Sequence, residues 1–297
     1  MNEKIKIKIN EKEKEFEIKN KGKMKVLELP IVIEVSGGSF LHIGAAPSPL
    51  TEKKGAVFKV DRIPVIPASS FKGALRQQLE LLFIEDIENK NEFTKLFNIS
   101  QQNKGVLKPC IPSPRPTEAE KELIHIGKYR EKHCEVRVDE GDVKIDEING
   151  ICPVCYFMGN AGLMGFLRFS NFYPEGEGGI IDQTNIRIDR KTGTAAHGAK
   201  VEGEQVKPGM VFRGNIDIVI SEPVLAMQNL QFGDARVIAG KVLDKWLKEW
   251  GETDKNRRMK VLIENILISA IQNIKLLGGQ KSRGAGIVNV EVELKGP

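Results

Sequence analysis

The 297-residue sequence predicts an α+β fold, with strands and helices in βαββαβ order and insertions between them. Three observations predict it. Apolar strand-like runs sit at 26–35, 163–172, 211–220 and 287–294, helical patterns occupy 71–84 and two stretches between 234 and 277, and the segments joining them are long for a compact domain. That order is the split βαβ arrangement of ferredoxin-like folds.

Taken in order, residues 1–25 alternate charge with Ile5, Ile7 and Ile9, then Phe16 and Ile18, a period of two that predicts a β-hairpin with one dry face. The strand at 26–35 ends at Gly37-Gly38, and 37–67 reads as a loop rich in glycine and proline. Ser69 and Ser70 offer an N-cap to a helix over 71–84. Residues 86–146 are irregular and read as an insertion. A polar, glycine-containing excursion spans 185–209 between two strands, and connections of that length are commonly functional. Asp234–Trp250 and Arg257–Leu277 read as amphipathic helices, followed by a glycine-rich turn at 278–286 and a last strand.

A net charge of +5 is compatible with an anionic partner without requiring one. The first residues lack an apolar core and no segment is long enough to span a bilayer, so the expected location is the cytoplasm, without a membrane partner.

Two basic motifs stand out. In Gly278-Gly279-Gln280-Lys281-Ser282-Arg283-Gly284-Ala285-Gly286, four glycines permit positive φ and bring several N–H groups toward one ligand, beside two bases and a hydroxyl. A plain helix-to-strand turn is the competing reading. In Ser69-Ser70-Phe71-Lys72-Gly73-Ala74-Leu75-Arg76, a helix N-terminus is an anion site, and Lys72 and Arg76 share a face; a capped surface helix is the alternative. The four cysteines, Cys110, Cys134, Cys152 and Cys155, include a CxxC pair whose thiolates fit one tetrahedral Zn²⁺. A closed site needs two more ligands, and Cys110, His125, His133 and Cys134 are available upstream; four reduced structural cysteines is the metal-free reading.

Five motifs, FLHIGAAPSPL, IPVIPASSFKGALR, CPVCYFMG, IRIDRKTGTAAHGAKVEGEQVKPGMVF and LLGGQKSRGAGIVNVEV, occur in that order between about 31 and 294. Together they resemble the RAMP superfamily of CRISPR proteins, and within it the repeated backbone subunits of type III effector complexes of antiviral defence. The resemblance, outside which the 1–25 hairpin lies, implies a ferredoxin-like core over 26–297 with a zinc-stapled lid at 86–160 and a β-hairpin thumb at 186–206. It favours His133, Cys134, Cys152 and Cys155 as the zinc ligands, with Cys110 in place of His133 as the alternative. It implies guide-RNA contacts from Ser69, Ser70, Lys72 and Arg76, from Gly279, Lys281, Ser282 and Arg283, and from the thumb through Arg187 and Arg190. The implied partners are guide RNA, complementary target RNA, other subunits and further copies of this chain. Target cleavage in such subunits uses an aspartate in the loop after the HIG motif. Here Asp61 sits late in that loop and Glu52 is the other acid nearby, so cleavage is expected to be slow or absent, with Mg²⁺ required if it occurs. The alternative function is a metal-independent repeat-RNA processing endonuclease of the same superfamily, and a third is a zinc-stapled protein-interaction subunit.

Overall fold

The computed structural model describes residues 3–45, 55–139, 142–176, 179–224, 228–248 and 250–293. Helices are combined with antiparallel strand ladders, and contacts divide the chain into two compact units. The first comprises Met1–Leu29, Arg76–Arg168 and Asp217–Ala270, and the second Pro30–Leu75, Phe169–Ile216 and Ile271–Pro297. Among the described residues no helix is long and apolar enough to cross a membrane.

The first unit opens with β1 (Lys4–Ile9) and β2 (Lys12–Lys21), joined through Asn10 and Glu11. Both turn residues have positive φ, 47° and 64°, the backbone of a two-residue hairpin whose twist matches its strands. Ile5, Ile7, Ile9, Phe16 and Ile18 are buried while the intervening charges face outward. β2 then pairs with the start of β3 (Met24–Val35) through Ile18 opposite Leu27. The hairpin lies against the helical segment that begins at Lys255–Val261, where Lys260 meets Glu13 at 3.3 Å and Glu264 accepts the Lys8 N–H.

Among the described residues, 86–160 hold short helices and one two-stranded ladder, Arg137–Asp139 with Asp142–Lys144. The helix expected over 234–250 is reduced to Lys245–Lys248. Ahead of it, Val237–Ile238 pairs with Lys241–Val242 around Ala239 and Gly240, both at positive φ. The tight turn is held by a buried ion pair, Arg236 with Asp244 at 2.6 Å, which periodicity does not reveal. Trp246 inserts its ring between those of Phe97 and Tyr156, at 4.9 and 5.3 Å.

In the second unit, the later half of β3 pairs with the closing strand Val288–Val292, setting Ile31, Ile33 and Val35 opposite Val292, Val290 and Val288. All six are buried. Helix α1 (Ala68–Glu85) starts here, before the serines expected to cap it. Pro67 supplies the first carbonyl, accepting from Ser70 and Phe71, and Asn171 Oδ1 takes the Ala68 N–H at 2.9 Å. Ser69 and Ser70 therefore lie in the first turn, above Phe71, which packs on Phe172 with ring centroids 4.7 Å apart. The polar excursion is an antiparallel hairpin, Ile180–Ile188 with Ala195–Val206, with a register shift between Ile186 and Ile188.

Candidate metal centre and nucleic-acid interface

The four cysteines converge within the first unit, their sulfurs all within 4.8 Å of one another, and all four are buried. Cys152 is the N-cap of the short helix Pro153–Met158, and its Sγ accepts the Cys155 N–H at 3.4 Å. The Cys152 N–H in turn reaches Cys134 Sγ at 3.2 Å. Sulfur separations of 3.4 Å for Cys110–Cys155 and 3.9 Å for Cys110–Cys152 exclude disulfides, which need about 2.05 Å. They match the edge of a zinc tetrathiolate, about 3.8 Å for Zn–S bonds of about 2.3 Å. The donor set thus fits a closed structural Zn²⁺ site and leaves no open coordination position. His133 is not in this group. It pairs with Glu135 at 3.6 Å, and Cys110 stands in the place for which the histidine was favoured. Adjacent side chains diverge, so a chain that turns Cys134 inward carries His133 away.

Two guanidinium groups touch this cluster. Arg130 Nη1 donates to Cys134 Sγ at 3.6 Å, and Arg76 Nη2 to Cys155 Sγ at 3.4 Å. Burial opposes ionisation of Cys152, yet hydrogen bonds from the other three thiols and the charge of Arg130 hold it well below the usual thiol range. Arg76 also donates to Glu80 at 2.9 Å, and Glu80 accepts from Tyr129 at 3.2 Å. Arg76 was expected beside Lys72 on a phosphate-binding face. The structure instead turns it to Cys155 Sγ and to Glu80 one turn further along the helix, both within reach of its long side chain. Ser69 and Lys72 are exposed and Ser70 is half-buried.

In the second unit the glycine-rich segment forms a compact loop. The Gly279 N–H donates to the His42 carbonyl at 2.7 Å and the Gly286 N–H to that of Phe40 at 2.6 Å, while Leu277 N–H closes the base on Gly286. Gly278 needs to be glycine twice over: its φ is +76°, and a Cβ there would lie 2.3 Å from the His42 oxygen. Gln280, also left-handed at φ 57°, leads into the single turn Lys281–Arg283, whose side chains are all exposed with Gly279 and Gly284. Behind the loop, Gln280 Oε1 accepts from the buried Gln205 at 3.0 Å, and His42 Nδ1 donates to the Glu204 carbonyl at 2.9 Å. Sequence reasoning missed Gln205 and Asn171, and assigned His42 no chemistry. Lone amides carry no local signal of what they hold.

At the hairpin tip, Asp189 Oδ1 accepts the N–H groups of Lys191 and Thr192 at 2.7 and 3.1 Å, which holds its carboxyl below the usual range. Arg190 beside it is exposed, as are Ile186 and Ile188, at 54% and 59%. Arg187 falls in the first strand, with its side chain outside the described residues. Asp61 and Arg62 are the central residues of a tight turn between Lys59–Val60 and Ile63–Pro64, both at positive φ and both exposed. Glu52 lies outside the described residues.

The sequence matches the RAMP superfamily over residues 37–289. This chain belongs to the RAMP superfamily. Among curated proteins none matches it in sequence. Solved structures similar to this RAMP chain include one described as the cryo-EM structure of the Type III-B Cmr-beta bound to cognate target RNA. That match has 15% identity and a TM-score of 0.40, and covers 89% of this chain and 96% of the other.

Proposed function

We propose that this RAMP protein is a guide-RNA-binding backbone subunit of a type III CRISPR effector complex, working in antiviral defence alongside further copies of itself and other subunits. The observation that carries the reading is the Lys281–Arg283 turn, which offers two bases, a hydroxyl and two glycines to solvent from a loop pinned at both ends. Such a turn binds phosphodiesters by shape and charge rather than by base identity. Ser69, Ser70 and Lys72 at the start of α1 are the second phosphate contact. The hairpin Ile180–Ile188/Ala195–Val206 is the thumb, and its exposed isoleucines and Arg190 suit a wedge between nucleotides. In this reading the core is ferredoxin-like, the β1–β2 hairpin precedes it, and residues 86–160 form the lid with structural zinc on Cys110, Cys134, Cys152 and Cys155. The hairpin and the cysteine cluster favour this over a repeat-RNA processing enzyme.

Lys281→Ala with Arg283→Ala is expected to weaken RNA binding on unrelated guide sequences alike and to lower the salt slope by about two charges. Filter binding at several salt concentrations measures both. Unchanged affinity and slope would remove the loop from the interface.

Cleavage is expected to be slow or absent, because Asp61 occupies a turn in which an aspartate tolerates positive φ without further reason. Asp61→Ala should leave guide and target binding unchanged. Regular-interval cutting of labelled target RNA with Mg²⁺ by the wild-type complex, lost in Asp61→Ala, would make this residue catalytic after all.

A further inference from the structure

Arg130 presents a charge problem that the fold alone does not solve. It is 5% exposed, and its guanidinium donates to the carbonyls of Gly150, Val106 and Asn149 at 2.6, 2.7 and 3.5 Å and to Cys134 Sγ. None of these partners is a carboxylate. Asp146 is near enough to feel the charge, but its oxygens accept from Ile148 and Asn149 instead. A buried cation held only by neutral groups is strongly unfavourable, and the structure keeps this one against a sulfur. The second guanidinium, Arg76, is shared between Cys155 Sγ and Glu80.

A divalent ion on four thiolates leaves a net charge of −2 in a site that water does not reach. We propose that Arg130 and Arg76 are the counter-charges of that centre. They donate to sulfurs on different chain segments, Cys134 and Cys155, and offset the tetrathiolate's excess negative charge. The inference rests on the metal reading and deepens it. Without the metal no anion hydrogen-bonds to Arg130, whereas a metal tetrathiolate answers both imbalances at once. Arg130 is the principal member, because no carboxylate is among its hydrogen-bond partners. Arg76 is partly matched by Glu80, which burial pushes toward its neutral form. Outer-shell groups of this kind orient ligands and tune the metal they hold.

The test uses the full-length chain, with Zn²⁺ affinity measured by competition against a chromophoric chelator and Co²⁺ as the spectroscopic probe. Arg130→Met is expected to lower Zn²⁺ affinity on the order of 10–100-fold, and Arg76→Met by less, with Arg130→Lys recovering part of the loss. In the Co²⁺ forms, removing a positive charge from sulfur should move the sulfur-to-cobalt charge-transfer band to lower energy. A merely structural arginine would not move that band. If Arg130→Met fails to fold, Arg76→Met carries the test, since that side chain is at the edge of the cluster. Wild-type protein that takes up no Zn²⁺ would overturn the metal reading itself. Wild type that binds, with arginine variants equal to it in affinity and band energy, would overturn this inference and leave the metal reading standing.

Discussion

Cys152→Ser with Cys155→Ser is expected to abolish stoichiometric zinc, taking the chain from one equivalent to none, and to unfold the 86–160 region locally. The expectation follows from where the sulfurs sit. Among the described residues, 86–160 contain no long helix and only a two-stranded ladder of three residues a side, so little regular structure holds them. Cys110, Cys134 and the CxxC pair tie three separate stretches of this segment to one point. A structural Zn²⁺ contributes an apparent ~10–16 kcal/mol in small zinc domains at neutral pH, and most of that is folding free energy. The double change also puts a serine oxygen where Arg76 donates to Cys155 Sγ, and leaves Arg130 on Cys134 without the metal tetrathiolate beside it. Elemental analysis of protein purified without chelator gives the stoichiometry, and hydrogen exchange read by segment gives the local unfolding. Faster exchange confined to 86–160, with β1 and β2 protected as in wild type, is the expected pattern. Wild-type protein without zinc, or a variant with unaltered exchange, would end the argument.

The parts of the fold legible in the sequence are those governed by local periodicity. Ile5, Ile7 and Ile9 alternate with lysine, and a strand with one dry face is what they make. Phe71, Leu75, Leu79 and Phe83 recur every four residues and form the buried stripe of α1. The stretch 234–250 misled because its apolar spacing is helical while its backbone is set elsewhere. Gly240 and Ala239 turn the chain, and a buried ion pair fixes the turn. No pattern of hydrophobic residues encodes such a contact.

The candidate site divides in the same way. The CxxC pair and the glycine-rich loop are visible because their chemistry depends on neighbours in sequence. The choice of Cys110 over His133 is not, since Cys110 lies 45 residues from Cys155 and only the folded path brings their sulfurs to 3.4 Å. Arg76 shows the limit of helical spacing as a guide. Positions four apart share a face, but a side chain as long as arginine answers to the nearest anion. Arg130 was invisible for a further reason: nothing in the run KYREKHC distinguishes a buried guanidinium from a solvated one.

Asp244→Ala is expected to destabilise the first unit by about 3–5 kcal/mol. Asp244 is wholly buried and Arg236 nearly so, with side chains 0% and 2% exposed. The carboxylate accepts three hydrogen bonds from Arg236, from Nε at 2.7 Å, Nη2 at 2.6 Å and the backbone N–H at 2.9 Å. The guanidinium then donates to the Met164 carbonyl at 3.0 Å and lies over the rings of Tyr156 and Phe166, 5.0 and 5.4 Å from their centroids. Removing the aspartate strands a cation among aromatic rings, where desolvation is at its most costly. Removing both charges is a different matter, because an ion pair in the interior recovers little more than its own desolvation. Arg236→Met with Asp244→Leu should therefore be far less harmful than Asp244→Ala, losing at most about 1–2 kcal/mol. That loss would come chiefly from the backbone N–H left without an acceptor. Urea denaturation of both single variants and the double, with the metal centre saturated, gives the coupling energy directly. A double variant as unstable as Asp244→Ala would mean that the pair specifies the Val237–Val242 turn through its hydrogen bonds, and that charge compensation is secondary.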